Sequence, residues 1–457
     1  MKVLKFGGSS IANGNRMLNI AEILKKRQDE QIVLVLSACQ NVTNLLENAA
    51  SYVQHQNLNA ALIIVEKIKQ LHLQIADENI VNSSILKQTK STINNLCNEL
   101  GELMQGISFL NELTPQAMAK VYSFGEILSS RLFYAISLEM KLNGTWFDVR
   151  EVMISDSTFL SAYPIEEKIK ERANIILNKF KDYNLIITQG FIASDLLGRT
   201  TVLGRGGSDF SASLLGASLN AESIEIWSDV NGVLSADPHI VPNAISIPKM
   251  EYSEIKDLSF WGAKVLHHKT ILPAINNNIP VKILNSLEPT AIGTTIIKNI
   301  DSDNKPEVHS LVAKKNCVLL HFEFEIALRH KIPEDFSNLI NYLLSKDVNI
   351  LNIICTNSTL QMIVENVNAN LTKYLEKYNY TQQDNLTAIC IVGHNLNCNN
   401  VFYSEIFSKI IEDKTIKDDE WKYVWQYSEN TLLFLTSSKN IDEHLKNIHN
   451  ALIVNQN

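Results

Sequence analysis

The chain has 457 residues, of which 45% are hydrophobic and 20% are charged, so it exceeds the ~150 residues of a typical domain and more than one domain is expected. The formal net charge of −8 argues against a general nucleic-acid-binding surface, and no apolar run approaches the ~20 residues of a membrane span. Six cysteines without a CxxC pair, and no signal peptide, lead us to expect a cytoplasmic protein with reduced thiols.

The N-terminus combines a short predicted strand with a glycine-rich turn. Residues 2–6 run into Gly7, Gly8 and Ser9, and a helix is predicted from about Asn15 to Gln28. Glycines in such a turn allow backbone N–H groups to approach an anion closely. Lys5 could reach phosphates held there, although for this segment alone a surface lysine beside a tight turn is the simpler interpretation.

The next strand, at residues 32–36, ends at Ser37 and leads to a helix that starts near Thr43. In open α/β sheets ligands bind beyond the carboxyl ends of strands, so these two residues lie where a substrate is expected. Thr43 can equally be a helix cap. Residues 45–115 predict further helices, and Glu126 follows on a helix at 119–140, where it can contact a substrate amine or face solvent.

A second glycine-rich turn follows a buried strand at residues 185–189. It contains Arg205, Gly206, Gly207, Ser208 and Asp209 and opens a helix of small and apolar residues. The glycine amides and the helix N-terminus favour an anion, and an arginine can bind a carboxylate or a phosphate with two hydrogen bonds. Alone, this motif also fits a turn capped by Ser208 or Asp209.

Strands and helices alternate through the remainder of residues 1–298. A strand at 223–227 is followed by Ser228 and Asp229, helices are predicted at about 252–258 and from Phe260, and a strand at 281–284 follows. This alternation predicts a mainly parallel sheet between helices, a three-layer α/β/α domain.

The rhythm changes after a polar linker at residues 299–310. Two similar β-α-β-β-α units follow, at 311–383 and 384–457, which is a small ferredoxin-like pattern. Their predicted strands lie at 317–323, 349–355, 360–365, 386–392, 423–427 and 432–436, and their helices at 335–345, 371–378, 401–411 and 441–452.

These motifs, in their order and spacing, resemble the amino-acid kinase family and, within it, the aspartate kinases, above all the kinase part of the bifunctional aspartate kinase–homoserine dehydrogenases. The resemblance rests on residues 5–10, 123–126, 203–209, 226–233 and 260–267, and the tandem repeat resembles paired ACT domains. It implies phosphorylation of the β-carboxylate of L-aspartate by ATP with Mg²⁺, the first step of lysine, threonine and methionine biosynthesis.

The resemblance also implies roles for individual residues. Lys5, Ser208 and Asp209 are expected at the transferred phosphate, with Gly7, Gly8, Ser9, Gly206 and Gly207 around the phosphates. Aspartate is expected to be bound by Ser37, Thr43, Glu126 and Arg205. Glu126 is expected to contact the ammonium group of aspartate, and Arg205 its α-carboxylate. Nucleotide contacts are expected at Ser228, Asp229, Leu234, His239 and Lys264. Leu234 and His239 depart from the tyrosine and arginine usual there. Mg²⁺ is expected to be held through ATP. Asp209 is the one candidate for a direct protein ligand.

ACT domains in this family bind an end-product amino acid and join subunits, so lysine, threonine or methionine as an effector and a homodimer or larger homo-oligomer are expected. Residues 331–336 lack the glycine that usually precedes the helix of the effector loop. Two alternatives stay open: a non-catalytic amino-acid sensor that kept the fold, and a kinase of another small carboxylate or of carbamate. Neither nucleic acid nor a membrane is expected as a partner.

Overall fold

A computed structural model describes residues 1–263, 266–300, 306–324, 332–346, 348–356, 358–365, 369–396, 406, 408 and 421–454. Its contacts divide the chain into two compact units. The N-terminal unit comprises Met1–Val233, Ser246–Ile255 and Val265–Ile300, and the C-terminal unit comprises Leu234–Ile245, Lys256–Lys264 and Asp301–Asn457. In the described part of the chain, no helix is both long and apolar enough to cross a membrane.

The N-terminal unit is built on an eight-stranded sheet with the order β3-β4-β2-β1-β7-β9-β10-β8. The strands are parallel except that β10 runs antiparallel to β9, and β8 is parallel to β10. A separate hairpin is formed by β5 and β6. The bounds are β1 Lys2–Phe6, β2 Ile32–Leu36, β3 Gly144–Trp146, β4 Leu185–Gln189, β5 Ile192–Ser194, β6 Thr200–Val202, β7 Ser223–Ser228, β8 Lys249–Glu251, β9 Val281–Asn285 and β10 Thr294–Ile297.

Helices cover both faces of this sheet. Leu34 and Leu36 of β2 point into a core formed with helices α1–α5, whereas Val33 and Ile186 lie against α6 and α7. Because successive side chains of a strand point to opposite faces, the uniformly apolar β2 fills both cores. The predicted three-layer α/β/α class is confirmed. The helices of this unit are α1 Gly14–Lys25, α2 Val42–Gln54, α3 Leu58–Asn79, α4 Ser83–Leu110, α5 Pro115–Glu139, α6 Glu166–Lys179, α7 Gly207–Ser218 and α9 His268–Asn276. Helix α8, Tyr252–Phe260, is divided between the two units after Ile255.

The helix predicted to start at Phe260 is wrong. Phe260 ends α8, and the following helix begins only at His268. Gly262 has a φ of +109°, which breaks a right-handed helix and which residues other than glycine rarely adopt. The two predicted helices are therefore present, but the first continues to Phe260 and the second starts eight residues later than expected.

The C-terminal unit contains one six-stranded antiparallel sheet with the order β12-β13-β11-β14-β16-β15. The predicted helix at 401–411 lies outside the described residues apart from 406 and 408. The strands are β11 Glu307–Glu323, β12 Asn349–Cys355, β13 Thr359–Glu365, β14 Tyr380–His394, β15 Trp421–Ser428 and β16 Thr431–Thr436, and the helices are α10 Ile332–Ser345, α11 Ala369–Leu375 and α12 Ile441–Leu452.

The long strand β11 serves two cores. Its first half contributes Val308 and Leu311 to a core with β16 and α12, and its second half contributes Leu320 and Phe322 to a core with β13 and α10. Since β11 and β14 pair along most of their length, the two repeats share one sheet. The boundary between the repeats at residues 383 and 384 stays a prediction.

Candidate functional site

A cavity of about 590 Å³ lies in the N-terminal unit beyond the carboxyl ends of β1, β2 and β4. Both glycine-rich turns open onto it, one after β1 and the other before α7. Its lining comprises Lys5, Gly8, Ser9, Ser37, Ala38, Cys39, Gln40, Asn41, Thr43, Asn44, Tyr122, Glu126, Leu160, Phe191, Val202, Gly204, Arg205, Gly206, Gly207, Ser208 and Asp209. Segments from five separate parts of the sequence therefore line one cavity.

The first turn is held against two neighbouring strands. The Gly7 N–H donates a hydrogen bond of 3.1 Å to the Trp227 carbonyl at the end of β7, and a single 3₁₀ turn at Gly8–Ile11 follows. A Cβ at Gly8 would lie 2.9 Å from the Ala38 carbonyl oxygen, which is too close for a real side chain. The close approach of the two chains at this point explains why a glycine is required here.

The second turn places a helix N-terminus at the cavity. Gly206 is the residue before α7, with a φ of +71°, and no side chain caps the helix. Capping by Ser208 or Asp209 is therefore wrong as an interpretation. Because the first N–H groups of a helix have no intrahelical acceptor, the start of α7 can donate them to an anion in the cavity.

Lys5 and Asp209 connect the two turns. Lys5 Nζ lies 2.7 Å from an Asp209 carboxylate oxygen, and the two side chains are only 12% and 18% exposed. The pair joins the end of β1 to the first turn of α7. The aspartate holds the ammonium group in place, and the lysine reduces the negative charge that the aspartate would present to an anion.

Glu126 is a buried acid in the wall of the cavity. It is 3% exposed, and its Oε1 accepts a hydrogen bond of 3.2 Å from the Ala38 N–H. Its Oε2 has no hydrogen-bond partner among the residues that the structure describes. Burial raises the pKa of Glu126 to about 8, although the bond from Ala38 opposes this. Such a carboxyl lowers its free energy by binding a cation.

Arg205 supplies the opposite charge to the same cavity. Its side chain is exposed, and within the described part of the chain it forms neither an ion pair nor a hydrogen bond. A guanidinium with free donors and a carboxyl with a free oxygen are complementary to the carboxylate and ammonium groups of an amino acid.

The start of α2 forms a third side of the cavity. Asn41, with a φ of +67°, is the residue before the helix, and Thr43 lies inside the first turn, so the interpretation of Thr43 as the cap is wrong. Ser37 is fixed at the end of β2, where its N–H donates to the Phe6 carbonyl at 3.2 Å and its own carbonyl accepts from the Ser129 hydroxyl at 2.6 Å.

Several lining residues were missed by the sequence prediction. Tyr122 lies one helical turn before Glu126 on α5, so its spacing could have indicated it. Phe191 contacts Tyr122 edge-on, with ring centroids 6.0 Å apart, and no local sequence pattern indicated that contact. Cys39 is also buried in the wall, and burial, followed by the nearby Glu126, raises the pKa of its thiol to about 12.

Four residues predicted to contact the nucleotide, Ser228, Asp229, Leu234 and His239, are not among the described residues that line this cavity. Ser228 ends β7, next to the turn after β1, and Asp229 follows it. Leu234 and His239 belong to the C-terminal unit, where the Leu234 carbonyl accepts a hydrogen bond of 3.1 Å from the Ser310 hydroxyl. Lys264 lies outside the described residues.

The described residues contain no cluster of three or more His, Cys, Asp or Glu side chains that could hold a metal ion. Asp209 is the only carboxylate of the two glycine-rich turns that lines the cavity, and it is paired with Lys5. This donor set fits a metal that arrives already bound to phosphate oxygens, and it does not fit a site built by the protein alone.

Comparison with known proteins adds an independent result. Residues 1–285 match the model of the amino acid kinase family. The chain belongs to the amino acid kinase family. The lysine-sensitive aspartokinase 3 of Escherichia coli is 29% identical to this amino acid kinase over 471 residues, which cover 98% of each chain. The chloroplastic aspartokinase 1 of Arabidopsis thaliana is 35% identical over 324 residues, which cover 70% of this chain and 55% of that protein.

A solved structure is also similar to this amino acid kinase over almost its full length. The crystal structure of E. coli aspartokinase III in complex with aspartate and ADP is 26% identical, covers 99% of both chains and has a TM-score of 0.78. The resemblance to the aspartate kinases that the motifs indicated is therefore confirmed, and so is the combination of a parallel α/β unit with a C-terminal antiparallel one.

Proposed function

We propose that this amino acid kinase transfers the γ-phosphoryl group of ATP to the β-carboxylate of L-aspartate, giving 4-phospho-L-aspartate and ADP. One observation carries the proposal. A free guanidinium, a buried carboxyl with an unpaired oxygen, and two glycine-rich phosphate turns joined by an ion pair all line the same cavity. The similarity to E. coli aspartokinase III, solved with aspartate and ADP, supports it.

The acceptor is recognised by its charges. We infer that Arg205 binds the α-carboxylate of aspartate and that Glu126, through its free oxygen, binds the ammonium group. Thr43 and Ser37, at the start of α2 and the end of β2, provide polar contacts to the same molecule. Because Glu126 is buried, an acceptor without an ammonium group leaves its second oxygen without a partner and is bound weakly.

The transfer requires no general base. The β-carboxylate of aspartate has a pKa of ~3.9 and is ionised at neutral pH, so one of its oxygens can attack the γ-phosphorus directly. The bond from that phosphorus to the oxygen that bridges it to the β-phosphorus breaks, and ADP leaves with the electron pair. The chain must bring two anions together. Lys5, the Gly8 amide and the N-terminus of α7 are suited to stabilise their negative charge.

Mg²⁺ is proposed as the ion that accompanies ATP. When bound, it neutralises charge on the phosphate oxygens. Asp209 is the one side chain of this cavity suited to face it, directly or through water, and its main role here is to hold Lys5 at 2.7 Å.

The test is hydroxamate formation from aspartate, ATP, Mg²⁺ and hydroxylamine by the purified full chain. We expect hydroxamate only when both aspartate and ATP are present, and little with glutamate. ATP consumption with glutamate or carbamate but not with aspartate would support the kinase of another acceptor instead. Binding of aspartate or another amino acid with no turnover at all would support the non-catalytic sensor.

The C-terminal unit is proposed to bind an amino-acid effector and to join subunits in a homodimer or larger oligomer. One relative, aspartokinase 3 of E. coli, is named as lysine-sensitive, so lysine is tested first and threonine and methionine next. An amino acid that lowers the rate of hydroxamate formation and shifts the Tm is identified as an effector. If none of the three amino acids has either effect, the repeats do not have that role.

A further inference from the structure

Two buried serine hydroxyls lie beside the first glycine-rich turn, outside the cavity lining and outside the predicted site. Ser10, in the 3₁₀ turn after Gly8, is 1% exposed, and Ser286, directly after β9, is 2% exposed. Their Oγ atoms are 2.7 Å apart. The Ser286 hydroxyl donates to the Ser228 carbonyl at 2.9 Å.

The two hydroxyls join the first glycine-rich turn to the end of β7. The Ser10 Oγ lies 2.7 Å from the Ser286 Oγ, and either can be the donor, and it lies 3.5 Å from the Trp227 carbonyl. In the arrangement with the shorter bonds, Ser10 donates to Ser286 and Ser286 donates to the Ser228 carbonyl. The Ser286 N–H also donates to the Ser228 carbonyl at 2.8 Å, and the Ser286 carbonyl accepts from the Asn19 side chain on α1.

This arrangement connects two places that one nucleotide must occupy together. The turn at Gly7–Gly8 is proposed to hold the γ-phosphate, and Ser228 is proposed to contact the nucleoside part. The Gly7 N–H bond to Trp227 already ties the turn to the end of β7. The hydroxyl pair adds a side-chain connection at Ser10, further along the turn, and so helps to preorganise both places for a single ligand. We propose that Ser286, with Ser10, is a positioning residue that sets the nucleotide-binding half of the site; this rests on the proposed function.

The test compares Ser286→Ala, Ser10→Ala and the double variant. Removing either hydroxyl breaks the side-chain connection between the turn and the strand end. Each single variant should therefore raise the KM for ATP and the Kd for ADP about fivefold, the effect of one lost hydrogen bond. The KM for aspartate should change less than twofold. The double variant should be no worse than the singles, because both remove the same connection. Ser286→Thr, which keeps a hydroxyl, should recover much of the ADP affinity.

Ser137→Ala is the matched control. Ser137 is fully buried in α5, and its hydroxyl donates to the Tyr134 carbonyl of its own helix at 2.7 Å. It should change neither substrate's binding. Because the Ser286 N–H still pairs with Ser228 in the alanine variant, the strand end is expected to stay folded, which the circular dichroism spectrum and Tm will check.

Three results would overturn the proposal: unchanged ADP affinity in both single variants, equal losses for ATP and aspartate, or the same losses in Ser137→Ala. Calorimetric ADP binding tests Ser286 even if the wild-type chain fails to phosphorylate aspartate. Failure of the proposed acceptor is therefore distinguishable from failure of this inference.

Discussion

The acceptor half of the predicted site and its nucleotide half are built in different ways. In the acceptor half, Thr43, Glu126 and Arg205 all line one cavity and all belong to the N-terminal unit. In the nucleotide half, Ser228 and Asp229 belong to the N-terminal unit, whereas Leu234 and His239 are grouped with the C-terminal unit.

The difference follows from the length of the connections. In the acceptor half, Thr43 and Glu126 lie on α2 and α5 and Arg205 lies two residues before α7, so each side chain is within a few residues of a rigid element. The segment after Ser228 is a long, turn-rich connection, and its position depends on what it packs against. Ala236 and Val241 are buried in a core with β16 and α12, which places this segment in the C-terminal unit.

The largest effect is expected for the ion pair that joins the two phosphate turns. Lys5→Ala and Asp209→Ala should each lower the kcat of hydroxamate formation by about 10²–10³-fold or more, because each breaks the ion pair that is proposed to lie at the transferred phosphate. Lys25→Ala, an exposed lysine on α1, is the control. Turnover close to that of the wild type in either variant would remove these residues from the proposed mechanism.

Arg205→Ala comes next. Loss of a charge-assisted bond to the α-carboxylate should raise the KM for aspartate by about 10–100-fold, with a smaller change in kcat and in the KM for ATP. Arg205→Lys should recover only part of the loss, since a lysine cannot form the paired bonds of a guanidinium. A loss confined to kcat would contradict binding of the carboxylate.

Glu126→Gln is expected to change the pH dependence of stability. The raised pKa means that the folded chain keeps a proton on Glu126 that the unfolded chain releases above its usual pKa of 4.5. This contribution is fully present below about pH 4.5 and is lost as the pH rises through about 8. Between pH 5 and 9 the free energy of unfolding of the wild type should therefore fall by on the order of 3 kcal/mol relative to that of the variant.

Thermal unfolding of the ligand-free protein measures this difference. The Tm of Glu126→Gln relative to the wild type should increase steadily from pH 5 to pH 9. Glu99→Gln, at an exposed position on α4, is the matched control and should follow the wild type. Parallel curves for the wild type and Glu126→Gln would show that Glu126 is already ionised in the folded chain at low pH.

The smallest effect is expected in the nucleotide half. His239 is exposed, so His239→Ala should raise the KM for ATP by no more than about threefold and should leave the KM for aspartate unchanged. His55→Ala, another exposed histidine at the end of α2, is the control. An increase above tenfold would mean that the nucleotide half is as tightly organised as the acceptor half.

Much of the fold was predictable because its signals are local. The apolar run of β2 and the glycine turns after β1 and before α7 indicated a parallel α/β unit, and the repeated strand and helix pattern after residue 310 indicated the second unit. The errors also have local causes: the apolar spacing from Phe260 onward concealed the break at Gly262, and side chains suited to capping at Thr43 and Ser208 were not used as caps.

The sequence by itself determined the apolar strands β1, β2, β4, β7 and β9, the turns that can approach an anion and the charges that are available, because these properties depend on neighbouring residues. The short strands β3, β5, β6, β8 and β10 were not predicted. Only the tertiary structure decided that Lys5 meets Asp209 and that Ser10 reaches Ser286. It also decided that Glu126 accepts from the Ala38 amide through one oxygen, while the other has no partner among the residues that the structure describes. Such contacts join residues far apart in the chain, and the packing of strands and helices fixes them where no local pattern can.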